Sequence, residues 1–320
     1  MMRLAPRAGK RQRGAVFMPE PHPTITLVTA NYNLAPFLEA TLRSVLDQAY
    51  PALEYVVVDG GSTDGSLEII RRHASRLTRW SSGSDRNMYH AINKGFAGTS
   101  GEIMGWLNGD DLHLPWTLST VADIFQQCPE VEWITSLYPL VMNAKGQVES
   151  THYLAGFNRE TFLRGVNLPQ VGFHARGYIQ QESTFWRRSL WERAGGRLSE
   201  AHGTAGDFEL WTRFIALAPL HGVAVPLAGF RAREGQLSQA GRAAYEENAE
   251  RALTQAGGRR VNGMTNTLRR KTAALFGQRP LARRMPVLLR KGLLACGLLS
   301  RAPVIRNVKG RWCIHQEFVV

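Results

Sequence analysis

Tyr55-Val56-Val57-Val58-Asp59-Gly60-Gly61 runs four side chains, apolar on both faces, straight into an acid and two glycines, and Ser66 to Arg76 then follows with helical spacing. A strand apolar on both faces belongs inside a sheet covered by helices on either side, the setting of parallel strands. The preceding segment has the same form. Thr24 to Thr29 is a β-branched run, and Pro36 to Gln48 places Phe37, Leu38, Leu42, Val45 and Leu46 at helical spacing behind a proline suited to a first helical turn. Downstream, Glu102 to Leu107 reads as a buried strand, Trp116 to Gln127 as a helix and Val131 to Leu137 as another strand. This alternation through residue 137 specifies an α/β fold with an open, mainly parallel, Rossmann-like sheet flanked by helices. In such sheets ligands bind beyond the carboxyl ends of the strands.

Beyond residue 137 the pattern becomes irregular. Ser183 to Trp186 reads as a strand, Arg188 to Ala194 and Phe208 to Leu217 as helices, and Val223 to Phe230 as a closing strand. The 320 residues therefore divide into a basic, disordered arm at 1–22, a first α/β unit at 23–137, an irregular unit at 138–250 and a basic extension at 251–320. Within that extension Leu281 to Leu299 reads as a basic amphipathic helix. The net charge of +13 is concentrated there: residues 251–320 hold 15 Lys and Arg against one acid, Glu317, whereas the other 250 residues hold 24 basic and 25 acidic side chains. A neutral body with no aromatic-interleaved basic platform argues against nucleic acid as a partner and leaves membrane-surface docking by the extension as the expectation. No run approaches the ~18 apolar residues of a membrane span. Neither an export signal nor a C-x-x-C spacing is visible among Cys128, Cys296 and Cys313, so the expected location is cytoplasmic, peripheral on the inner face of the membrane.

The polar clusters at the strand ends carry the chemistry. Trp106-Leu107-Asn108-Gly109-Asp110-Asp111 drives a buried strand into two adjacent carboxylates that repel one another. Such a pair suits a hard divalent cation, Mg²⁺ or Mn²⁺, that brings its own phosphate oxygens, because Mg²⁺ usually takes one or two protein carboxylates beside those of a substrate.

In order and spacing, T-x-N-Y-N from Thr29, E-Y-V-V-V-D-G-G-S-T-D-G-S from Glu54, S-x-x-D-R-x-x-Y-x-A-I-N-K-G from Ser82, G-E-I-x-x-W-L-N-G-D-D from Gly101, S-T-F-W-R-R-S-L-W-E-R-x-G-G from Ser183 and G-D-F-E-L-W from Gly206 resemble the family 2 inverting glycosyltransferases with the GT-A fold. The resemblance covers roughly residues 24–240. It implies a nucleotide-sugar-binding subdomain at 23–137, an acceptor-binding and catalytic subdomain at 138–250, and transfer of one sugar from a nucleoside-diphosphate donor, with UDP as the expected nucleotide, to a glycan or lipid-linked acceptor in surface polysaccharide biosynthesis. It implies Thr29, Tyr32 and Asp59 against the nucleotide base, Asp85, Arg86, Asn93 and Lys94 bordering the donor, Asp110 near the ribose or a metal-bound water, and Asp111 as the direct metal ligand. Asp207 would be the general base, with Glu209 as its nearest rival.

Three positions depart from the family pattern. His90 and Asn87 stand where Asp and Gly are frequent. Arg233 stands where many members carry a His near the diphosphate; an arginine does not ligate a metal but binds phosphate well. These departures keep a second reading in view, a glycosyltransferase-like module that binds nucleotide or glycan without turnover. Val308-Lys309-Gly310-Arg311-Trp312 holds the R-W of processive members without their Gln, which implies addition of one sugar at a time.

Overall fold

The computed structural model describes residues 22–154, 156–168, 178–236, 241–260 and 300–319, with the isolated positions 286, 288 and 292. The basic arm and the segment Leu281 to Leu299, apart from those isolated positions, lie outside the described residues.

A nine-stranded sheet forms the spine, in the order β13-β12-β10-β6-β9-β4-β1-β2-β3. Its first half is β1 (Ile25–Asn31), α1 (Ala35–Leu46), β2 (Leu53–Asp59), α2 (Ser66–His73), β3 (Arg79–Ser82), α3 (Met88–Phe96) and β4 (Ile103–Asn108), the expected alternation with one further strand and helix, β3 and α3, that the sequence pattern did not announce. Strand β1 lies between β2 and β4 and is parallel to both, with Asn31 opposite Asp59 and Ala30 opposite Asn108. The chain order reverses at β1, so the carboxyl ends of β1, β2 and β4 open together at a topological switch point. Side chains alternate across β1: Ile25 and Leu27 pack with Leu38, Leu42, Ile70 and Val121, whereas Val28 and Ala30 pack with Ile92, Trp106, Trp186 and Trp211 on the opposite face. Trp106, Trp133, Trp186, Trp191 and Trp211 all belong to that second layer.

The irregular half both adds strands to this sheet and supplies most of a second, smaller one. Following α4 (Thr117–Gln127), β6 (Trp133–Ser136) and, between α5 (Arg159–Leu163) and α6 (Arg188–Arg193), β9 (Phe185–Arg187) join the sheet, with β9 antiparallel to both β4 and β6. The closing strand expected at Val223 to Phe230 is instead two strands in two sheets. β10 (His221–Val223) runs parallel to β6, whereas β11 (Ala228–Arg231) joins a four-stranded sheet with β5 (Leu112–His113), β7 (Leu140–Met142) and β8 (Val148–Thr151). Pro226, which has no N–H to give a ladder, stands between them. This small sheet begins one residue after Asp111 and returns through Arg231, so it folds the end of β11 onto the end of β4.

The basic extension, expected to be helical, ends in a β-hairpin. β12 (Ser300–Val308) runs parallel to β10 and antiparallel to β13 (Arg311–Val319). Lys309 and Gly310 both have positive φ, 52° and 86°, as a two-residue type I′ turn requires. The R-W dipeptide thus opens a strand after that turn. Ala302, Val304 and Ile305 are buried, and Glu317 receives Arg306 Nε at 2.6 Å and the Tyr153 hydroxyl at 3.1 Å, fastening the hairpin to the body. No helix among the described residues is long and apolar enough to cross a membrane.

Candidate functional site

At the end of β2, Asp59 is fully buried and organises its own loop. It accepts from Asn31 Nδ2 at 2.7 Å, the amides of Gly61 and Ser62 at 3.1 and 3.0 Å, Ser82 Oγ at 2.7 Å and Ser62 Oγ. Burial alone would raise its pKa, but the bonds from Ser62, Ser82 and Asn31 together outweigh that effect and hold the carboxyl below its ordinary value. Both oxygens are engaged within the loop, so Asp59 shapes the cleft rather than offering a vacant acceptor. Asp64, as its Asp-Gly setting suggests, accepts from the Ser66 and Ala35 amides at 3.1 and 2.8 Å and so caps two helix starts. The Tyr32 ring, 62% exposed, lies over Gly60, where a Cβ would come within 3.2 Å of it. An exposed ring backed by a glycine is a platform on which a flat base can stack.

At the end of β4 the two acids part company. Asp110 Oδ2 pairs with Arg233 Nε at 2.7 Å, and the guanidinium groups of Arg233 and Arg231 stand 5.4 and 5.2 Å from the centre of the Phe37 ring. Asp111, expected to be the direct metal ligand, is fully buried; its Oδ1 accepts the Arg231 amide at 3.0 Å and its Oδ2 accepts Asn108 Nδ2 at 3.3 Å. It joins the β4 turn to the small sheet, which leaves Asp110 as the acid beside the Arg233 guanidinium. Burial, with Asp110 and Glu182 nearby, pushes the Asp111 pKa well up, and the Arg231 amide and charge oppose this. Among the described residues no group of three or more His, Cys, Asp or Glu could hold a metal by itself. The oxygen-only set of Asp110 and the buried, unpartnered Asn108 Oδ1 fits a hard cation that arrives with phosphate oxygens.

Asp207 lies in the first turn of α7 (Gly206–Leu217) and is 5% exposed. Its Oδ1 accepts the Phe208 amide at 2.8 Å and the Tyr89 hydroxyl at 3.2 Å, and the Tyr245 hydroxyl reaches both oxygens at 3.1 Å. Burial raises its pKa to about 6 against the opposing bonds from Phe208, Tyr245 and Tyr89. A carboxylate with that affinity accepts a proton near neutrality, as a general base must. Glu209, the rival, is held by Arg213 at 2.8 Å from both guanidinium contacts and lines a separate cavity of about 430 Å³ with Asn93 and Leu198. Tyr245 comes from α8 (Arg242–Gln255), for which the sequence offered no motif. Glu182, on a single 3₁₀ turn before β9, is a buried acid that sequence reasoning missed, although Gln180-Gln181-Glu182-Ser183 is an unusually polar lead into a buried strand. Arg231 was likewise overlooked beside Arg233.

Several expected donor contacts point elsewhere. Thr29 is fully buried and its hydroxyl shares a 2.9 Å hydrogen bond with Tyr55, so it does not reach a base. Asn93 clamps a loop, donating to the Leu198 carbonyl at 3.0 Å and accepting its amide at 2.8 Å. Asp85 receives His90 Nδ1 and Lys94 Nζ, both at 2.8 Å, and Arg86 pairs with Glu200 at 2.9 Å. Asn87 caps α3 by accepting the His90 amide at 2.9 Å. Asp85, Arg86, Asn93 and Lys94 therefore form a border of internal pairs at α3, whereas Asp110 and Arg233 pair at the end of β4 and Asp207 lies at the start of α7.

Known proteins resemble this chain in sequence and in fold. The profile of glycosyl transferase family 2 matches residues 26–192. An uncharacterized glycosyltransferase of Nostoc is 33% identical over 105 residues, covering 32% of this chain and 33% of that protein. The O-antigen biosynthesis protein RfbC of Myxococcus xanthus is 30% identical over 244 residues, 73% of this chain and 18% of its own length. The chain spans about a third of the length of the first curated relatives it matches. Among solved structures, S. aureus TarS 1-349 in complex with UDP-GlcNAc superposes with a TM-score of 0.53 at 14% identity, over 73% of this chain and 71% of that one, a likeness of fold. With more than half its residues matched, and the mixed sheet and flanking helices in place, the chain belongs to glycosyl transferase family 2.

Proposed function

We propose that this protein moves a single hexosyl-type sugar from a nucleoside-diphosphate donor, UDP in the first instance, to a hydroxyl of a glycan or lipid-linked acceptor, inverting the anomeric centre. The observation that carries the reading is the buried Asp207 carboxylate, with its pKa near 6, in a family whose motifs the chain matches in order. The acceptor oxygen attacks the anomeric carbon as its proton passes to Asp207. The bond from that carbon to the diphosphate oxygen breaks, and its electron pair leaves with the diphosphate. Arg231 and Arg233 neutralise the departing charge, and Tyr32 supports the base. A Mg²⁺ or Mn²⁺ ion held by Asp110 and Asn108 would supply further positive charge to the leaving group.

The names of two relatives support an acceptor in surface polysaccharide assembly: RfbC is an O-antigen biosynthesis protein, and a Bacillus subtilis relative is a putative teichuronic acid biosynthesis glycosyltransferase. The basic extension would then bring the enzyme to the inner face of the membrane, where lipid-linked acceptors lie. Mass spectrometry of products from a panel of nucleotide sugars and lipid-diphosphate acceptors tests the reading. Wild type should form one sugar adduct, and Asp207→Asn should lose about 10²–10⁴-fold in turnover while still binding UDP. UDP binding with no product from any donor or acceptor would instead favour the non-catalytic module.

A further inference from the structure

Glu182 is 2% exposed, and its Oε1 has no hydrogen-bond partner among the described residues. Its turn packs against the ends of β4, β5 and β11, and its own carbonyl accepts His113 Nε2 at 3.2 Å. The carboxyl is close enough to feel the charges of both Asp110 and Asp207, and Asp111 feels it in turn. Gln181 beside it buries an amide with neither atom partnered, and Ser183 a hydroxyl in the same condition. A buried polar atom without a partner costs roughly 1–3 kcal/mol. Several on one short turn form a buried polar cluster whose hydrogen bonds the described residues do not supply.

The position narrows what supplies them. In the reaction proposed above, the diphosphate lies by Asp110 and the acceptor oxygen by Asp207, so a group near enough to feel both charges lies beside the transferred sugar between them. We propose that Glu182, with Gln181 and Ser183 beside it, is the subsite that reads the hydroxyl groups of the donor's sugar and so selects which sugar is transferred. Sugar hydroxyls both donate and accept, and this mixed amide, hydroxyl and carboxyl set offers both. Burial, the strongest influence, and the neighbouring Asp207 and Asp110 charges lift the Glu182 pKa to about 8. Near pH 7 the group then presents one donor and one acceptor.

This inference rests on the transferase reading, and calorimetry separates the two. The titrants are UDP, UDP-glucose, UDP-galactose and UDP-N-acetylglucosamine, applied to wild type, Glu182→Leu and Glu182→Gln. Expected is a wild type that binds UDP and prefers one sugar nucleotide. Glu182→Leu should bind UDP within about twofold of wild type yet lose about tenfold of the increment that the preferred sugar adds, and with it the glucose-over-galactose discrimination or its reverse. Glu182→Gln, which keeps a donor and an acceptor, should retain most of that increment. An unchanged ratio of sugar-nucleotide to UDP affinity in Glu182→Leu overturns the subsite. If Glu182→Leu fails to fold, Gln181→Met combined with Ser183→Ala is titrated in its place, and an unchanged ratio of sugar-nucleotide to UDP affinity there overturns the subsite. A wild type that binds no nucleotide overturns the transferase reading and the subsite with it.

Discussion

Asp207 is held where its charge is costly. Its folded pKa of about 6 stands above the ordinary 3.8, so the fold favours the protonated form. The stability it contributes is complete below about pH 4 and is lost as pH rises through 6, a swing of roughly 3 kcal/mol for two units. Asp207→Asn should therefore raise the melting temperature at pH 7.5 and not at pH 4, even as it removes turnover; equal melting shifts at both values would contradict the assignment. The same group sets an acid limb in the rate. Turnover should rise with pH through about 6, and Tyr245→Phe, which removes a bond that favours the charged form, should move that limb upward by about one unit, equivalent to about 1.4 kcal/mol, with rates recovering at pH 8. A merely structural Tyr245 would lower the plateau and leave the limb in place. Arg233 offers a third residue-level test. Its removal leaves Asp110 without its partner in a partly buried pair, so Arg233→Ala should lose about 1–3 kcal/mol, and Mn²⁺ should restore more melting temperature to the variant than it adds to wild type. Sequence motifs exposed Asp110, Asp207 and Arg233 because each sits at a strand end or helix start. Thr29 and Asn93 matched the same motifs, but which neighbour takes a side chain's hydrogen bond depends on tertiary packing.

Elements brought these groups together through close approach as much as through hydrophobic pattern. Helix α3 carries Tyr89 to Asp207 and Lys94 to Asp85, and it can do so because Gly95 presses directly on β1. A Cβ there would overlap Val28 Cγ1. Gly95→Ala should cost about 1–3 kcal/mol in denaturant unfolding, and Val28→Ala in the same chain should return part of that loss although either change alone destabilises. Strict additivity of the two would show that the helix relaxes away from the sheet. The parallel strands β1, β2 and β4 were legible because strands buried on both faces read as unbroken apolar runs. Pro226 stands inside the segment Val223 to Phe230 that reads as one closing strand, and its missing N–H is the signal that reading passed over. What it separates was not legible, because His221–Val223 and Ala228–Arg231 are each too short to show a period, and only their partners β6 and β7 assign them to different sheets.

At the scale of the molecule, the hairpin of β12 and β13 closes one side of the large sheet. The basic composition of the extension concealed it, since charge dominates the average while the buried residues of the hairpin, among those described, run from Ala302 to Ile305. Val304 and Ile305 pack on opposite faces of the sheet, one in each hydrophobic layer, so the hairpin completes both layers at once. Burying each such side chain contributes about 1.5–3 kcal/mol. Its removal would also leave β10, three residues long, as an unpaired edge beside β6. A chain ending at residue 299 should accordingly lose roughly 3–6 kcal/mol, a large share of an ordinary domain's stability, and should aggregate on warming. Ile305→Ala should lose about 2–4 kcal/mol with an unchanged denaturant slope. The cleft lies at β1, β2 and β4, across β6 and β9 from this edge, so UDP should raise the melting temperature of Ile305→Ala by the same increment as that of wild type. A truncated chain as stable as the full one would make the hairpin an appendage; a lost UDP increment in Ile305→Ala would show that the edge and the cleft move together.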